Sequence, residues 1–252
     1  MTEESTSLNK YLAATGICSR RQADSIIEEG RVTLNGQTAR KGNRVAAGDE
    51  VLLDGKPIGQ RRPKPVYILF NKPVGVVCTT DKRDRHNIVD YINFPERIFP
   101  IGRLDKASQG LIFLTNDGEI VNKILRAGNR HEKEYIVTVD KAITRDFLVK
   151  MRSGVPILDT VTKRADVEQI NKKTFKIILT QGLNRQIRRM CEYLGYEVKR
   201  LKRVRIMHVK LGDLKVGEYR HFTKREYKQL MFHIRDSRKG PGGREEPVRK
   251  EK

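Results

Sequence analysis

The chain has 252 residues, enough for one large domain or two smaller ones. It carries 52 Lys and Arg against 31 Asp and Glu, a formal charge of +21, of which residues 235–252, with seven basic and four acidic side chains, contribute +3 and the remainder +18. An imbalance of this size points to a polyanion, and to nucleic acid rather than a membrane, because no apolar run approaches the roughly 18 residues of a spanning helix and no signal peptide opens the chain.

In chain order, "SLNKYLAATG" (7–16) predicts a short helix: Ser7 is placed to cap it, Leu8, Tyr11 and Leu12 share a face, and Gly16 stops it. "SRRQADSIIEEG" (19–30) predicts a second, with Ser19 and Gln22 in capping-box spacing, Ala23, Ile26 and Ile27 on one face, and Gly30 at its end. A strand "RVTLNGQ" enters an Asn35–Gly36 hairpin turn, and "DEVLLDG" closes on an Asp54–Gly55 turn. Arg20 and Arg21 fall in the first turn of the second helix, where the macrodipole disfavours each cation by about 0.3–1 kcal/mol. Two solvated arginines tolerate that cost; a helix end that faces phosphates uses them. This stretch resembles the S4 RNA-binding domain at Leu8, Leu12, Gly16, Ser19, Arg20, Ala23, Ile27, Gly30, Val32, Asn35 and Gly36. The resemblance implies that Lys10, Arg20 and Arg21 contact structured RNA. Gly, Pro and charge in "DGKPIGQRRPKPV" (54–66) then read as a linker.

From "VYILFNKPVGVVCTT" to "YRHFTKREYKQLMF", alternation and turn signals predict many strands and few helices, an α+β pattern. "EYIVTVD", "TFKIILTQG" and "HVKLGDLKVGEYR" are the clearest strands. "NRQIRRMCEYLG" is the clearest helix, with Asn184 as its cap and Ile187, Met190, Cys191 and Leu194 on its apolar face. Arg185, Arg188 and Arg189 crowd its first turn, against the dipole and against one another, so either they form a solvated basic face or a negative group compensates. Phosphate is one candidate. Asp105 is the other: it lies in "GRLDKASQGLIFLTNDG" (102–118) between the apolar runs "RIFPI" and "LIFLT", where a carboxylate is rare unless paired or used. An adjacent arginine keeps such a carboxylate ionised, as a nucleophile or base requires. Tyr135 shares a strand face with Val137 and Val139, which makes it either a core aromatic or a stacking platform for an unpaired base. After Phe232, "RDSRKGPGGREEPVRKEK" has almost no apolar residue and reads as a disordered tail.

Together, "NKPVG" (71–75), the Asp105 stretch, "EKEYIVTV" (132–139) and "GLNRQIRRMCEYLGYEVKRLKRVRI" (182–206) resemble the pseudouridine synthases that modify ribosomal RNA. The S4-led arrangement is that of the branch uniting the A-type synthases of small-subunit rRNA with the B, E and F types of large-subunit rRNA. The wording is nearest to the F group, which acts on 23S rRNA. The resemblance implies an α+β chain: an S4 RNA-binding domain and linker over 1–62, a catalytic domain with a mixed, mainly antiparallel β-sheet flanked by helices over 63–233, and a basic tail over 234–252. It implies Asp105 as the catalytic carboxylate, Arg103 filling the gap left by a flipped base, Tyr135 stacking on the target base, and Arg188 pairing with the aspartate. Lys72, Arg185, Gln186 and Arg189 complete the expected RNA contacts, although Arg185 stands where relatives carry His.

The implied chemistry suits these residues. Uridine must leave its stack before an enzyme reaches it. The C1′–N1 bond then breaks, the uracil turns, and a C1′–C5 bond forms, with no atom gained or lost; no cofactor and no metal are expected. Consistently, Cys18, Cys78 and Cys191 are scattered without a CxxC pair and the histidines show no ligand spacing. One carboxylate suffices, to attack C1′ or to take a ribose proton, whereas ordinary glycosidases need a second. Asp117, in an "NDG" turn, is expected to be structural. The expected partner is ribosomal RNA, 23S in particular, as a helical fragment or within a large-subunit precursor; the protein is expected to be a cytoplasmic monomer without a membrane partner. Two alternatives stand beside this reading. A non-catalytic S4-type RNA-binding or ribosome-assembly protein would need neither the Arg103–Asp105 pair nor Tyr135, and a DNA-binding protein lacks any supporting helix-turn-helix or zipper pattern.

Overall fold

The computed structural model describes residues 5–58, 63–125 and 131–235. The chain forms two compact units, residues 1–65 and 66–252. The middle of the expected linker (59–62) and the expected tail beyond 235 lie outside the described residues.

The first unit runs β1 (Thr6–Ser7), α1 (Leu8–Ala14), α2 (Arg20–Glu28), β2 (Val32–Leu34), β3 (Gln37–Thr38), β4 (Arg44–Val45), β5 (Val51–Leu53) and β6 (Lys56–Pro57). The capping box forms at α2: Ser19 Oγ accepts from the Gln22 N–H at 3.2 Å and Gln22 Oε1 accepts from the Ser19 N–H at 2.8 Å. Ser7 stands at the N-cap of α1, but its hydroxyl makes no capping bond. The chain is held there instead by the β1–β4 pairing and by the Leu8 N–H, which donates to Asn43 O at 2.9 Å. Both expected turns carry two residues with positive φ, Asn35 (50°) with Gly36 (77°) and Asp54 (50°) with Gly55 (74°), the geometry of a type I′ hairpin. They fix the registers Leu34↔Gln37 and Leu53↔Lys56. Leu8, Leu12, Ala23, Ile27, Val32 and Val51 form this unit's own core.

The second unit runs β7 (Tyr67–Lys72), α3 (Ile88–Ile92), β8 (Phe99–Ile101), β9 (Gln109–Thr115), α4 (Glu119–Leu125), β10 (Lys133–Val139), α5 (Arg145–Ser153), β11 (Pro156–Ile157), β12 (Thr160–Val161), β13 (Asp166–Asn171), β14 (Thr174–Leu179), α6 (Gln186–Tyr193), β15 (Val198–Ile206), β16 (Val209–Lys210), β17 (Tyr219–His221) and α7 (Lys224–Ile234). A nine-stranded mixed sheet has the order β13-β14-β10-β15-β9-β7-β17, with β8 added on β9 and β16 on β15. The β9–β15 ladder is parallel; its neighbours are antiparallel. β7 and β9 are apolar on both faces because both faces are covered. Tyr67, Leu69, Leu111 and Phe113 enter one core with α4 and α7, while Ile68, Phe70, Ile112 and Leu114 enter another with α3. At the other end of the sheet, Val137, Val139, Phe175 and Ile177 pack against Phe147 and Met151 of α5 and Ile187, Met190 and Cys191 of α6.

Three features differ from the sequence expectation. The stretch "HVKLGDLKVGEYR" is two short strands, β16 and the start of β17, separated by turns at Gly212 (φ 57°) and Gly217 (φ 85°). α7 continues through Ile234, because Leu230 and Ile234 sit one turn apart on its buried face. The longest strand of the sheet, β15, has no counterpart among the expected strands; five basic residues disguise it. Cys18, Cys78 and Cys191 are buried. Burial pushes the Cys78 thiol up and the Cys191 thiol to about 12. Among the described residues, no helix is long and apolar enough to cross a membrane.

Candidate active site

Asp105 lies in the connection from β8 to β9 and is half-buried. The loop is fixed at several points. Asp105 O accepts from the Ser108 N–H at 3.0 Å, Lys106 O accepts from the Gly75 N–H at 2.8 Å, and the Leu104 N–H donates to Cys78 Sγ at 3.3 Å. Arg188, in the first turn of α6, donates to Ala107 O (2.9 Å), to Ser108 Oγ (3.2 Å) and, on its other side, to Val198 O (3.2 Å). Its Nε stands 3.8 Å from Asp105 Oδ2, an ion pair without a hydrogen bond, and is buried with no hydrogen-bond partner. Burial lowers the Arg188 pKa, and the Asp105 charge pushes it back up. One arginine therefore ties the loop to the helix and sets a positive charge beside the carboxylate.

These residues wall a cavity of about 680 Å³, within the range of ligand pockets. Ile101 of the "RIFPI" run and Phe113 of the "LIFLT" run contribute to its apolar lining; Arg103, Asp105, Lys133, Tyr135, Arg185 and Arg188 contribute its polar one. Tyr135 is half-buried and packs against the cores on both sides of the sheet junction. It is at once a core aromatic and a cavity wall. The junction itself depends on Gly110, whose ideal Cβ would meet Arg203 O at 2.2 Å across the parallel ladder. Arg203 is 4% exposed; its Nε donates to Leu111 O at 2.6 Å.

Three expectations about individual residues are corrected. Lys72 is not at the surface: it is fully buried and its ammonium donates to Pro73 O and Val76 O, both at 2.8 Å, so the "NKPVG" lysine braces a turn instead of reaching RNA. Gln186 is also buried; its Oε1 accepts from the Leu183 N–H. Asn184 does not cap α6. Arg185 holds that position in the left-handed region (φ 49°, ψ 33°), and Asn184 instead accepts from the Arg189 guanidinium through its carbonyl and side-chain oxygens. The arginine crowding is thus partly relieved inside the protein: Arg189 folds back onto Asn184 and Arg188 onto the Asp105 loop, while Arg185 stays exposed at the cavity. Asp117 accepts from the Tyr67 hydroxyl at 2.8 Å and the Glu119 N–H at 2.8 Å, in keeping with a structural role. Lys10, Arg20 and Arg21 belong to the first unit, the two arginines exposed at the start of α2 and Lys10 half-buried on α1. Sequence reasoning does not single out Lys133 or Arg203, although both lie within the stretches quoted for the resemblance.

Known proteins match this architecture. Residues 66–193 match the RNA pseudouridylate synthase family and residues 6–51 match the S4 domain. The chain belongs to the RNA pseudouridylate synthase family and is an enzyme that isomerises uridine to pseudouridine in RNA. It is 57% identical over 238 residues to the dual-specificity RNA pseudouridine synthase RluF of Salmonella typhi, covering 94% of this chain and 82% of that protein. It is 35% identical to the ribosomal large subunit pseudouridine synthase B of Bacillus subtilis, covering 88% and 94% respectively. A solved crystal structure of a pseudouridylate synthase superposes with a TM-score of 0.66 at 28% identity, over 89% of this chain and 99% of that one.

Proposed function

We propose that the Asp105 cavity isomerises a flipped-out uridine of ribosomal RNA, 23S rRNA in particular. The observation that carries this reading is the half-buried Asp105 carboxylate beside Arg188 in a cavity that also holds Tyr135. In this reading the target uridine leaves its stack and rests on the Tyr135 ring, and Arg103, exposed at the rim, takes the vacated place in the RNA. Asp105 acts on the ribose, as nucleophile at C1′ or as base toward a ribose proton. Arg188 sets a positive charge beside the carboxylate and holds its loop in place. Arg185 and the first unit's Lys10, Arg20 and Arg21 supply phosphate contacts. The protein works as a cytoplasmic monomer on rRNA, including precursor or fragment forms. Two arguments favour large-subunit RNA: the 23S-like wording of the motifs and the likeness to a ribosomal large subunit synthase. The dual specificity named for the RluF relatives extends the proposal to more than one RNA target.

The test is Asp105→Asn, which keeps shape and volume but removes the charge. Pseudouridine formation should fall to background while RNA affinity changes little. Substantial turnover by the purified, folded variant would remove Asp105 from the chemistry. Mapping pseudouridines in total RNA from a strain lacking the protein identifies the targets; an unchanged 23S map would overturn the assignment to that RNA.

A further inference from the structure

Lys133 opens β10 and lines the Asp105 cavity two residues from Tyr135. Glu134, between them, turns elsewhere and accepts from Arg205 at 2.9 Å. Among the described residues no carboxylate pairs with Lys133; its Nζ donates to His131 O at 3.3 Å. Arg103, Lys106 and Arg185 also line the cavity but are exposed to solvent. Arg188 is engaged by the Asp105 loop and the Asp105 carboxylate, and the buried Arg203 donates through Nε to Leu111 O while one terminal nitrogen of its guanidinium has no hydrogen-bond partner. Lys133 is therefore the half-buried lysine of the cavity wall, without an anion of its own among the described residues.

The reaction creates an anion there. When the C1′–N1 bond breaks, its electron pair stays with the uracil, and the charge spreads over N1 and the two ring oxygens. It vanishes when the ring rebonds through C5, sheds the C5 proton to solvent and takes one at N1. A cation that meets the ring only while it is charged lowers the barrier, because it stabilises the intermediate more than the bound uridine.

We propose that the Lys133 ammonium is a further catalytic residue, one that donates a hydrogen bond to a uracil oxygen and stabilises the negative ring released from C1′. The inference rests on the cavity being the catalytic site, as argued above for Asp105. Burial brings the Lys133 pKa down to about 8, with Arg203 on β15 adding to the effect. The other titratable groups lining the cavity are Cys78 between β7 and α3, Arg103, Asp105 and Lys106 from the β8–β9 loop, Tyr135 on β10 itself, and Arg185 and Arg188 from α6; His131 stands just before the strand. Burial holds the His131 pKa below its ordinary value, so His131 is neutral near pH 8. Since the protonated amine is the active form, kcat/KM is fully present below pH 8 and falls as pH rises through it, the profile that reports the free enzyme. A neutral Lys133 acting as a base would give the opposite slope.

The experiment measures tritium release from a 23S rRNA transcript labelled at C5 of uridine. Lys133→Met should lower kcat about 100-fold, the scale of losing one preorganised donor, with KM little changed. Its melting temperature should not fall, because the burial of an unpaired charge is removed. Lys133→Arg should retain activity within about tenfold and lose the alkaline fall, because the guanidinium stays charged. A Lys133→Met enzyme with parental kcat, one altered only in KM, a parental rate that climbs through pH 8, or a Lys133→Arg enzyme that keeps the alkaline fall would each overturn the proposal. Asp105→Asn measured alongside separates the two readings. If it is inactive while Lys133→Met is unimpaired, only the role of Lys133 fails; if it is active, the site itself has been misplaced.

Discussion

Tyr135 shows how much one side chain can be asked to do. Its ring packs against both cores and also faces the cavity, so Tyr135→Ala should cost stability and stacking together, the latter about 1–3 kcal/mol. Tyr135→Phe keeps the ring and should keep most of both. Melting temperature measured beside turnover separates the two contributions: a Tyr135→Ala protein that melts early yet turns over normally below its transition would leave only the packing role. The two-sided reading of this residue was legible from its strand pattern, and Asp105 was legible because a lone carboxylate between apolar runs is conspicuous. Lys72 and Lys133 were not. In a chain with 52 basic residues a lysine carries little signal by itself, and only the fold reveals that one is walled in against carbonyl oxygens while another faces the cavity without a counter-ion. The left-handed Arg185 was hidden for a different reason: backbone strain at a non-glycine residue leaves no compositional mark.

At the level of elements, the parallel meeting of β9 and β15 decides whether the site exists. Gly110 permits that approach and has φ 108°; a methyl group there would meet the backbone of Arg203, which cannot swing aside as a side chain would. Gly110→Ala should therefore destabilise by about 4 kcal/mol or more. In a unit of this size that is a fall in melting temperature of about 10 °C or more, with activity lost as the Asp105 loop loses its anchor. A variant that melts within a few degrees of the parent would show that the ladder can re-register. The strands with clean alternation, β10 and β14, were legible, as were the capping box of α2 and both type I′ turns, because each is local chemistry. β15 was not. Its arginines and lysines occupy positions that neither alternate cleanly nor form an apolar run, and its place in the centre of the sheet comes from β10 and β9, about sixty to ninety residues away.

For the whole molecule, charge outweighs every other property of the sequence. If +21 serves phosphate binding, log affinity for rRNA should fall with log salt by about 0.7–0.9 per phosphate contacted, and replacing Arg20 and Arg21 with Ala should flatten the slope by up to two contacts. A slope near zero would require a different explanation of the charge. The three buried thiols have a consequence of another kind. Cys18 belongs to the first unit and Cys78 and Cys191 to the second, and for the latter two burial suppresses the thiolate through which alkylating agents and peroxide react. Native protein should therefore withstand oxidants that disable enzymes with exposed cysteines. Each unit also carries its own internal clock: the moment of alkylation at Cys18 dates the opening of one, and that at Cys191 dates the opening of the other, in a single unmodified chain.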